Sequence, residues 1–365
     1  MGEAILHSQN SQDITNPRIV DVDGYCIRDF QSFEVELSSP KKSLNLAPYE
    51  EYDELVNCNE IEDNVDLDVS DTGKFILKFH VPAYFVGYII GAKGSVRYKI
   101  EQDTRTTIKV MNENANNIQV AGSNERDVVT AKNRIDLLIW QARDKHSLTH
   151  FVSIPLVTDL IKYNFDSFKT GIISDSTPIS GLHPSMFQKP SKIHLTIAPL
   201  VLADNVEEAE AIKVLKECND KVIKPMFANV EPLKVTLHGV EIMNDDPTNV
   251  DVLYGKIKIE PPKYNDLLQK MADEIYNYFT NKGLVRKQFD NVKLHATLIN
   301  SLFRKMDRQN KDEKSTRKTF DATHILKKYK NYYFGDADLN FIHLSIRFTK
   351  SESSYYDALT TISIK

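Results

Sequence analysis

The chain has 365 residues, which is enough for two or three domains at about 150 residues per domain. Its 41% hydrophobic and 27% charged residues are typical of globular proteins, which excludes a chain that is disordered throughout and a fibrous repeat. Because 46 basic residues face 51 acidic ones, the net charge of −5 also excludes a protein that coats nucleic acid through its bulk charge. Any basic surface must therefore be local.

Targeting and redox signals are sparse. The three cysteines, Cys26, Cys58 and Cys218, form no CxxC pair and have no histidine at ligand spacing, so we expect neither a disulfide framework nor a zinc module. No window approaches the roughly 18 apolar residues that span a bilayer, and residues 1–6 lack the pattern of a signal peptide. We expect a reducing compartment, either cytosol or nucleus, and no membrane as a partner.

An acidic block lies in the N-terminal part of the chain. Between Glu50 and Asp71 there are ten carboxylates and no lysine or arginine. A block of one charge repels itself and is most often a solvated linker, although such a segment can also be a docking tail for a partner. We assign residues 1–71 to an acidic tail or linker and leave its structure open.

The next segment has the alternation of a folded domain. The run Phe75–Val81 has the period of two that a half-buried strand shows. Two helices follow, one short and apolar before Gly91 and one that begins at Ser95. Two strand-like runs and a long amphipathic helix from Glu125 to about Arg143 complete the order strand, helix, helix, strand, strand, helix.

The turn between the first two helices carries a GxxG motif. In this element order, the run Tyr88–Ile100 resembles a eukaryotic-type (type I) KH domain, whose GxxG loop clamps the backbone of a single strand. Glycines let a phosphate approach the backbone closely, and the following helix presents unpaired N–H groups. The resemblance implies that single-stranded RNA, or another single-stranded nucleic acid, binds at Gly91, Ala92, Lys93, Gly94, Arg97 and Lys99. An isolated GxxG is more often a tight turn, and some KH folds serve only as scaffolds.

Two further motifs lie 101 residues apart and share a six-residue frame. Lys192–Ile197 reads KIHLTI and Lys293–Leu298 reads KLHATL. A single HxT triplet is unremarkable by chance in a chain of this composition, whereas two in one frame are informative. On a strand, residues two apart share a face, so each motif directs its histidine and threonine to one side and its aliphatic residues into the core. Two such strands predict a cleft that holds His194 and His295.

This combination of side chains suits phosphodiester chemistry. One neutral imidazole can accept the proton of an attacking water or ribose hydroxyl, while the other, as imidazolium, protonates the leaving oxygen. Thr196 and Thr297 can donate hydrogen bonds to the nonbridging oxygens of the phosphate. Lys192 and Lys293, two residues before each histidine, are expected at the cleft rim as phosphate contacts. The near symmetry leaves open which histidine is the base, and we expect no metal and no cofactor.

The pair of motifs resembles the two-histidine (2H) phosphoesterase family, whose members act on cyclic phosphates, 2′-5′ linkages or RNA ends. Together with the KH-like segment, it resembles more closely a family that joins one KH domain to a 2H domain of the A-kinase-anchor-protein type. The segments that carry this closer resemblance are Gly181–Leu182, Ser185–Gln188, His194–Ile197, Met243–Pro247, Asp251–Tyr254 and Lys293–Lys305. It implies a nuclear location with a cytoplasmic pool and, as partners, the subunits of a helicase-containing transcription cointegrator complex. The roles implied for such a complex are transcription coactivation, alkylation repair and ribosome-associated quality control.

Two further features, a third triplet and a basic segment, follow the second motif along the chain. His343 and Ser345 form a third HxS triplet, but no lysine precedes it, so we interpret His343 mainly as a structural residue of a strand and keep a place beside the cleft as the alternative. Between Arg304 and Lys330, ten basic residues face four acidic ones, most simply in a solvated loop. Because this segment follows the second motif, we also predict that it steers a phosphate backbone to the cleft, with Arg304 as a phosphate contact.

We therefore predict an α+β protein with a type I KH domain at residues 72–145, followed by a bilobal, pseudo-twofold 2H phosphoesterase domain at residues 146–365. The predicted function is RNA binding coupled to metal-independent cleavage of phosphodiester bonds at RNA ends or in oligonucleotides. The alternative is a noncatalytic RNA-binding adaptor, whose 2H cleft only holds a nucleotide or RNA.

Overall fold

The fold is described by a computed structural model, which defines residues 18–22, 25–29, 67–111, 117–176, 178–304, 317–349 and 354–364. The chain divides into two compact units, Met1–Asn64 and Val65–Lys365. In the first unit, β1 (Arg18–Val22) and β2 (Tyr25–Asp29) form an antiparallel hairpin. Most of the acidic block, including residues 51–66, lies outside the described residues.

The second unit begins with a four-stranded antiparallel sheet and three helices. The strands are β3 (Asp68–Val69), β4 (Phe75–His80), β5 (Thr106–Met111) and β6 (Asn117–Gly122), in the order β3-β4-β6-β5. The helices are α1 (Ala83–Ile90), α2 (Ser95–Thr104) and α3 (Glu125–Asp144). From β4 onward this is the element order that the sequence predicts for a KH domain, which is confirmed.

Alternation and helical periodicity account for the core of this domain. On β6, Ile118 and Val120 are fully buried, and the stripe Val128, Ala131 and Ile135 of α3 packs against them. The side chain of Asn124 accepts a hydrogen bond from the N–H of Arg126 and so caps α3. Strand β3 lies within the segment that the sequence analysis assigns to the acidic tail. Its two residues are exposed, and its pairing with β4 depends on backbone hydrogen bonds, which leave no hydrophobic signal in the sequence.

A second, larger sheet has eight strands. They are β7 (His150–Pro155), β8 (His194–Leu200), β9 (Lys234–Ile242), β10 (Val252–Glu260), β11 (Ala296–Asn300), β12 (Tyr333–Asp338), β13 (Phe341–Ile346) and β14 (Ala358–Ser363). Their order is β12-β9-β10-β11-β8-β7-β13-β14, with antiparallel pairing throughout. The β8–β11 pair is thus the centre, with three strands on each side of it.

The helices of this domain cover one face of the large sheet. They are α4 (Asp159–Ile173), α5 (Asn205–Cys218), α6 (Lys224–Phe227), α7 (Asn265–Asn281) and α8 (Thr323–Lys328). Alternate residues of the central strands, such as Leu195 and Leu298, are fully buried in the same core cluster as Phe165 of α4 and Ile275 of α7. The opposite face, which we call the open face, carries the other alternating residues. In the described ranges, no helix combines the length and the apolar character that crossing a bilayer requires.

Polar side-chain contacts join the two domains within the second unit. The guanidinium of Arg143, at the end of α3, donates to the carboxylate of Glu207 and to the carbonyl oxygen of Val201. His80 of β4 contacts Asp204 at 2.8 Å. Because the side chains of Arg143 and Glu207 are only 13% and 11% exposed, losing either partner would leave a buried charge unpaired. The two domains are therefore fixed against each other at this contact.

Candidate active site and nucleic-acid loop

The two HxT motifs lie side by side at the centre of the large sheet. Ala296 of β11 pairs with Leu195 of β8, and the strands are antiparallel. Continuing this register places the Cα atoms of His194 and His295 opposite those of Thr297 and Thr196 respectively. Leu195 and Ala296 are fully buried in the core, so the histidine and threonine side chains all face the open side of the sheet. The motifs share one cleft rather than lying on separate surfaces.

The local backbone fixes both imidazoles in the same tautomer. Nδ1 of His194 lies 2.8 Å from the carbonyl oxygen of Lys192, and Nδ1 of His295 lies 2.6 Å from that of Lys293. A carbonyl can only accept, so each Nδ1 carries the proton and donates it. Each neutral ring therefore has its lone pair on Nε2.

Three aromatic rings surround His194. Its ring centroid lies 4.9 Å from that of Phe151, 5.5 Å from that of Tyr356 and 6.2 Å from that of Tyr355. Burial among them disfavours the imidazolium and lowers the pKa of His194 to about 4. The hydrogen bond to Lys192 opposes this shift, and repulsion from His295 adds to it. His194 is thus neutral at physiological pH.

His295 has a less enclosed environment. One ring, that of Tyr254, lies beside it at a centroid distance of 5.4 Å, edge to face. Burial again lowers the pKa, and the positive charge of Lys293 lowers it further, against the hydrogen bond to the Lys293 carbonyl. The two histidines therefore share backbone geometry but differ in their surroundings.

The predicted lysine contacts divide in the same way. Lys293 is exposed, with Nζ 5.2 Å from the centre of the Tyr254 ring. Lys192 is only 8% exposed; its Nζ donates to Oγ1 of Thr349 at 3.0 Å and lies 4.4 Å from the centre of the Tyr356 ring. The expectation of a rim position is wrong for Lys192. Strand β8 starts at His194 and Lys192 ends a 3₁₀ turn, so the alternation of a strand does not extend to it.

Arg304 lies at the other end of β11 from His295. The strand and the turn Ser301–Phe303 separate them, and the guanidinium donates to the carbonyl oxygen of Gly181. The guanidinium is thus held at that end of the strand, and the role of Arg304 as a phosphate contact stays a prediction. Residues 305–316, which hold much of the predicted basic segment, lie outside the described residues.

The GxxG loop adopts a tight, left-handed turn between α1 and α2. Gly91, Lys93 and Gly94 have φ angles of 70°, 54° and 81°. A Cβ on Gly91 would lie 2.4 Å from Cγ2 of Val96, so only glycine fits there, whereas a Cβ on Gly94 would meet nothing within 4 Å. Ala92 is exposed at the tip of the turn, as is Lys93. We expect that aspartate at Gly91 would disrupt the loop itself.

The remaining predicted nucleic-acid contacts lie on α2, directly after the loop. Lys99 is exposed on this helix. Arg97 is half-buried, with Nε 3.9 Å from the carboxylate of Glu101, so part of its charge is already compensated. Lys93, Arg97 and Lys99 are thus close along the chain, although Arg97 and Lys99, two residues apart on α2, point to different sides of the helix.

A hydroxyl network lies on the open face beside His194. The hydroxyl of Ser153 on β7 is hydrogen-bonded to the hydroxyl of Ser345 at 3.0 Å and to that of Tyr355 at 2.8 Å. His343 pairs with Ser153 in register, and its ring lies 5.5 Å from that of Tyr355. His343 is therefore both a strand residue and a neighbour of the cleft. Sequence reasoning missed Phe151, Tyr355 and Tyr356 because they lie on segments with no motif of their own.

No metal centre is evident in the described part of the chain, where no three His, Cys, Asp or Glu side chains are grouped so that they could hold an ion. The expectation that the chemistry needs no cofactor stays a prediction.

Comparisons with known proteins agree with the two-domain description. Residues 76–137 match the KH domain, and residues 148–364 match the AKAP7 2′5′ RNA ligase-like domain. Activating signal cointegrator 1 complex subunit 1 of Mus musculus is 34% identical over 286 residues, which cover 75% of this chain and 80% of that protein. Among solved structures, E. coli LigT complexed with 3′-AMP is 11% identical with a TM-score of 0.35, covering 60% of this chain and 98% of that one.

Proposed function

The chain belongs to the family of activating signal cointegrator 1 complex subunit 1, and from this premise we propose that it is an RNA-binding two-histidine phosphodiesterase acting on RNA ends or oligonucleotides. The observation that carries the proposal is the side-by-side placement of the two HxT motifs, with both Nε2 lone pairs available in one cleft. The reaction needs no metal, because proton transfer and charge stabilisation both come from side chains.

The unequal environments divide the work between the histidines. His194, with a pKa of about 4, is the general base that takes a proton from water or from a ribose hydroxyl. The new O–P bond forms as the bond from phosphorus to the leaving oxygen breaks. His295, in its protonated form, delivers a proton from Nε2 to that oxygen. His295, the less enclosed histidine, is the one that substrate phosphate can hold in the protonated form, as a general acid requires.

The threonines stabilise charge in the transition state. Thr196 lies opposite His295 in register, and Thr297 lies opposite His194. Their hydroxyls can donate to the two nonbridging oxygens, where negative charge accumulates during transfer. Each motif therefore contributes a histidine that transfers a proton on one side of the phosphate and a threonine that donates a hydrogen bond on the other side.

The KH domain supplies affinity for the strand. A KH loop holds about four nucleotides and binds weakly alone, but a second site on the same body raises the effective concentration of the strand at the cleft. The Arg143–Glu207 and His80–Asp204 pairs support this arrangement, because they hold the two domains together. The name of the mouse relative further supports a place in a cointegrator complex. A nuclear location with a cytoplasmic pool is part of the proposal.

One observation favours the adaptor as a second candidate. Burial lowers the pKa of both His194 and His295, so neither imidazole carries a proton at neutral pH unless a bound phosphate restores it. A cleft of this kind could hold a nucleotide without turnover.

Turnover separates the two candidates. The purified chain and the His194→Ala, His295→Ala double variant are incubated with 2′-5′ and 3′-5′ oligonucleotides and with cyclic-phosphate ends, in EDTA. Cleavage by the parent alone supports the phosphodiesterase. Binding without product from any of these substrates identifies the adaptor.

The KH contribution is tested at the exposed tip of the loop. Ala92→Asp and Lys93→Asp together place two negative charges where a phosphate would bind, and neither residue packs in the core. We expect single-stranded RNA to dissociate more readily while the unfolding temperature stays unchanged. The matched control is Thr72→Asp with Lys74→Asp, two exposed residues before β4. Equal binding by the loop variant and this control would exclude the loop as the binding surface.

A further inference from the structure

The two halves of the open face are covered to different extents. In the half that contains His194, the segment before β14 folds over the strands, and the hydroxyl of Tyr355 bonds to Ser153. Ser153 and Ser345 have 0% exposure although both face this side of the sheet. Tyr356 lies next to Phe151, which is also buried, at a ring distance of 5.0 Å. The cleft is thus closed on this side a short distance beyond His194.

In the half that contains His295, Tyr254 of β10 is buried as well, at 4% exposure, but the side chains that follow it on the open face are more accessible. Tyr254 of β10 pairs with Thr297, so its side chain lies on the open face. Lys256 and Lys258 follow at steps of two along the same strand and share that face, while Gly255 and Ile259 face the core. Lys256 is half-exposed, and Lys258 is exposed. With Lys293 they form what we call the lysine track, which starts at His295.

Carboxylates also occur on this half of the face, but they lie farther from the cleft or have partners of their own. Glu241 pairs in register with Tyr254 and accepts the hydrogen bond of its hydroxyl. Asp336 accepts hydrogen bonds from Thr236 and Tyr333. Glu260 and Asp338 lie opposite Lys234 at the far ends of their strands. Apart from Glu241, which is held by the Tyr254 hydroxyl, Lys256 and Lys258 are the charged side chains that a strand leaving the cleft along β10 meets first.

We propose that the closed half admits one terminal nucleotide and that the rest of the RNA strand leaves over the lysine track, so the enzyme removes nucleotides from an end. This inference rests on the proposed function and names its substrate as a linear single strand with a free end. A phosphate backbone fits the track because successive lysines on β10 are about 7 Å apart and face the same way. An internal site of a closed circle would have to pass through the space that Tyr355 and Tyr356 fill.

The first test measures binding to the track. Lys256→Ala with Lys258→Ala is made in the Ala92→Asp, Lys93→Asp background, so that binding reports on the cleft rather than on the KH loop. Losing two phosphate contacts should weaken binding of a linear oligonucleotide and reduce the slope of log K against log salt by about 1.4. The control pair is Lys213→Ala with Lys216→Ala, exposed on α5 on the helical side of the sheet. An unchanged slope would overturn the role of the track.

The second test measures the products. The parent should release mononucleotides from a linear oligonucleotide and leave a circular RNA of the same sequence intact, and Lys256→Ala with Lys258→Ala should slow cleavage of long strands but not of a dinucleotide. Cleavage of the circle at a similar rate would overturn the inference while the phosphodiesterase stands. If no substrate is cleaved, the proposed function fails, and the salt slope still decides whether the track binds RNA.

Discussion

The two halves of the active site share one backbone geometry but differ in the side chains that surround their histidines. In each, a histidine at or next to the start of a strand donates Nδ1–H to the carbonyl two residues earlier, and a threonine two residues later shares its face. Three aromatic rings lie around His194, whereas one ring lies beside His295. Function in a pseudo-symmetric site can therefore be divided by neighbours that the repeated motif does not contain.

The sharpest way to break this comparison is to remove each imidazole separately. His194→Ala and His295→Ala should each lower kcat by about 10²- to 10⁴-fold, the usual contribution of a general base or acid. With a nitrophenolate leaving group, which needs no proton, His295→Ala should recover most of its activity and His194→Ala should not. Steady-state kinetics on both substrates check the assignment.

The control for these variants is His324→Ala, since that imidazole is 50% exposed on α8 and lies outside the cleft. Recovery by His194→Ala in place of His295→Ala would reverse the roles of the two histidines. Equal recovery by both would mean that their different surroundings do not divide the chemistry.

A smaller effect is expected from the threonines. Thr196→Val and Thr297→Val keep the shape of the side chain but remove the donor, so each should lower kcat by about 10²-fold with little change in KM. Equal losses would indicate that the symmetry of the motifs extends to the nonbridging oxygens. A rise in KM alone would show that the hydroxyl only binds the ground state, contrary to a role in the transition state.

These contrasts also show how far sequence could predict the site. The period of two fixes which side of each strand bears His194 and Thr196, because side-chain direction is a local property. The KH element order follows in the same way from alternation and helical spacing. Pairing between strands that lie about a hundred residues apart is not local, so the register of Leu195 with Ala296 and the cover by Tyr355 are properties of the folded chain that no local pattern contains.

The error at Lys192 has a physical origin. Its spacing of two residues before His194 predicts a place at the rim, but strand β8 begins only at His194. Once the backbone leaves the strand, the alternation of faces no longer applies. A buried charge then takes whatever partners surround it, here Thr349 and the Tyr356 ring for Lys192.

The finest test of the comparison is the pH dependence of kcat/KM. The base must be neutral, so activity should rise as pH passes the His194 pKa of about 4. The acid must be protonated, so activity should fall as pH passes the His295 pKa, which burial holds below its usual 6.5. The profile should therefore be a bell on the acidic side of neutrality. In the bound complex, the negative charge of the phosphate raises the pKa of both histidines and moves the kcat profile to higher pH.

Replacing the tyrosine beside one histidine at a time should move opposite limbs of this pH profile. Tyr356→Ser admits water to His194 and raises its pKa, so the acidic limb shifts upward and the bell narrows. Tyr254→Ser does the same for His295, so the alkaline limb shifts upward and the bell widens. Unfolding temperatures of both variants, measured across the same pH range, separate these shifts from loss of fold. If Tyr356→Ser moved the alkaline limb instead, His194 would be the acid, since the pKa that changes must be that of the imidazole beside the replaced tyrosine.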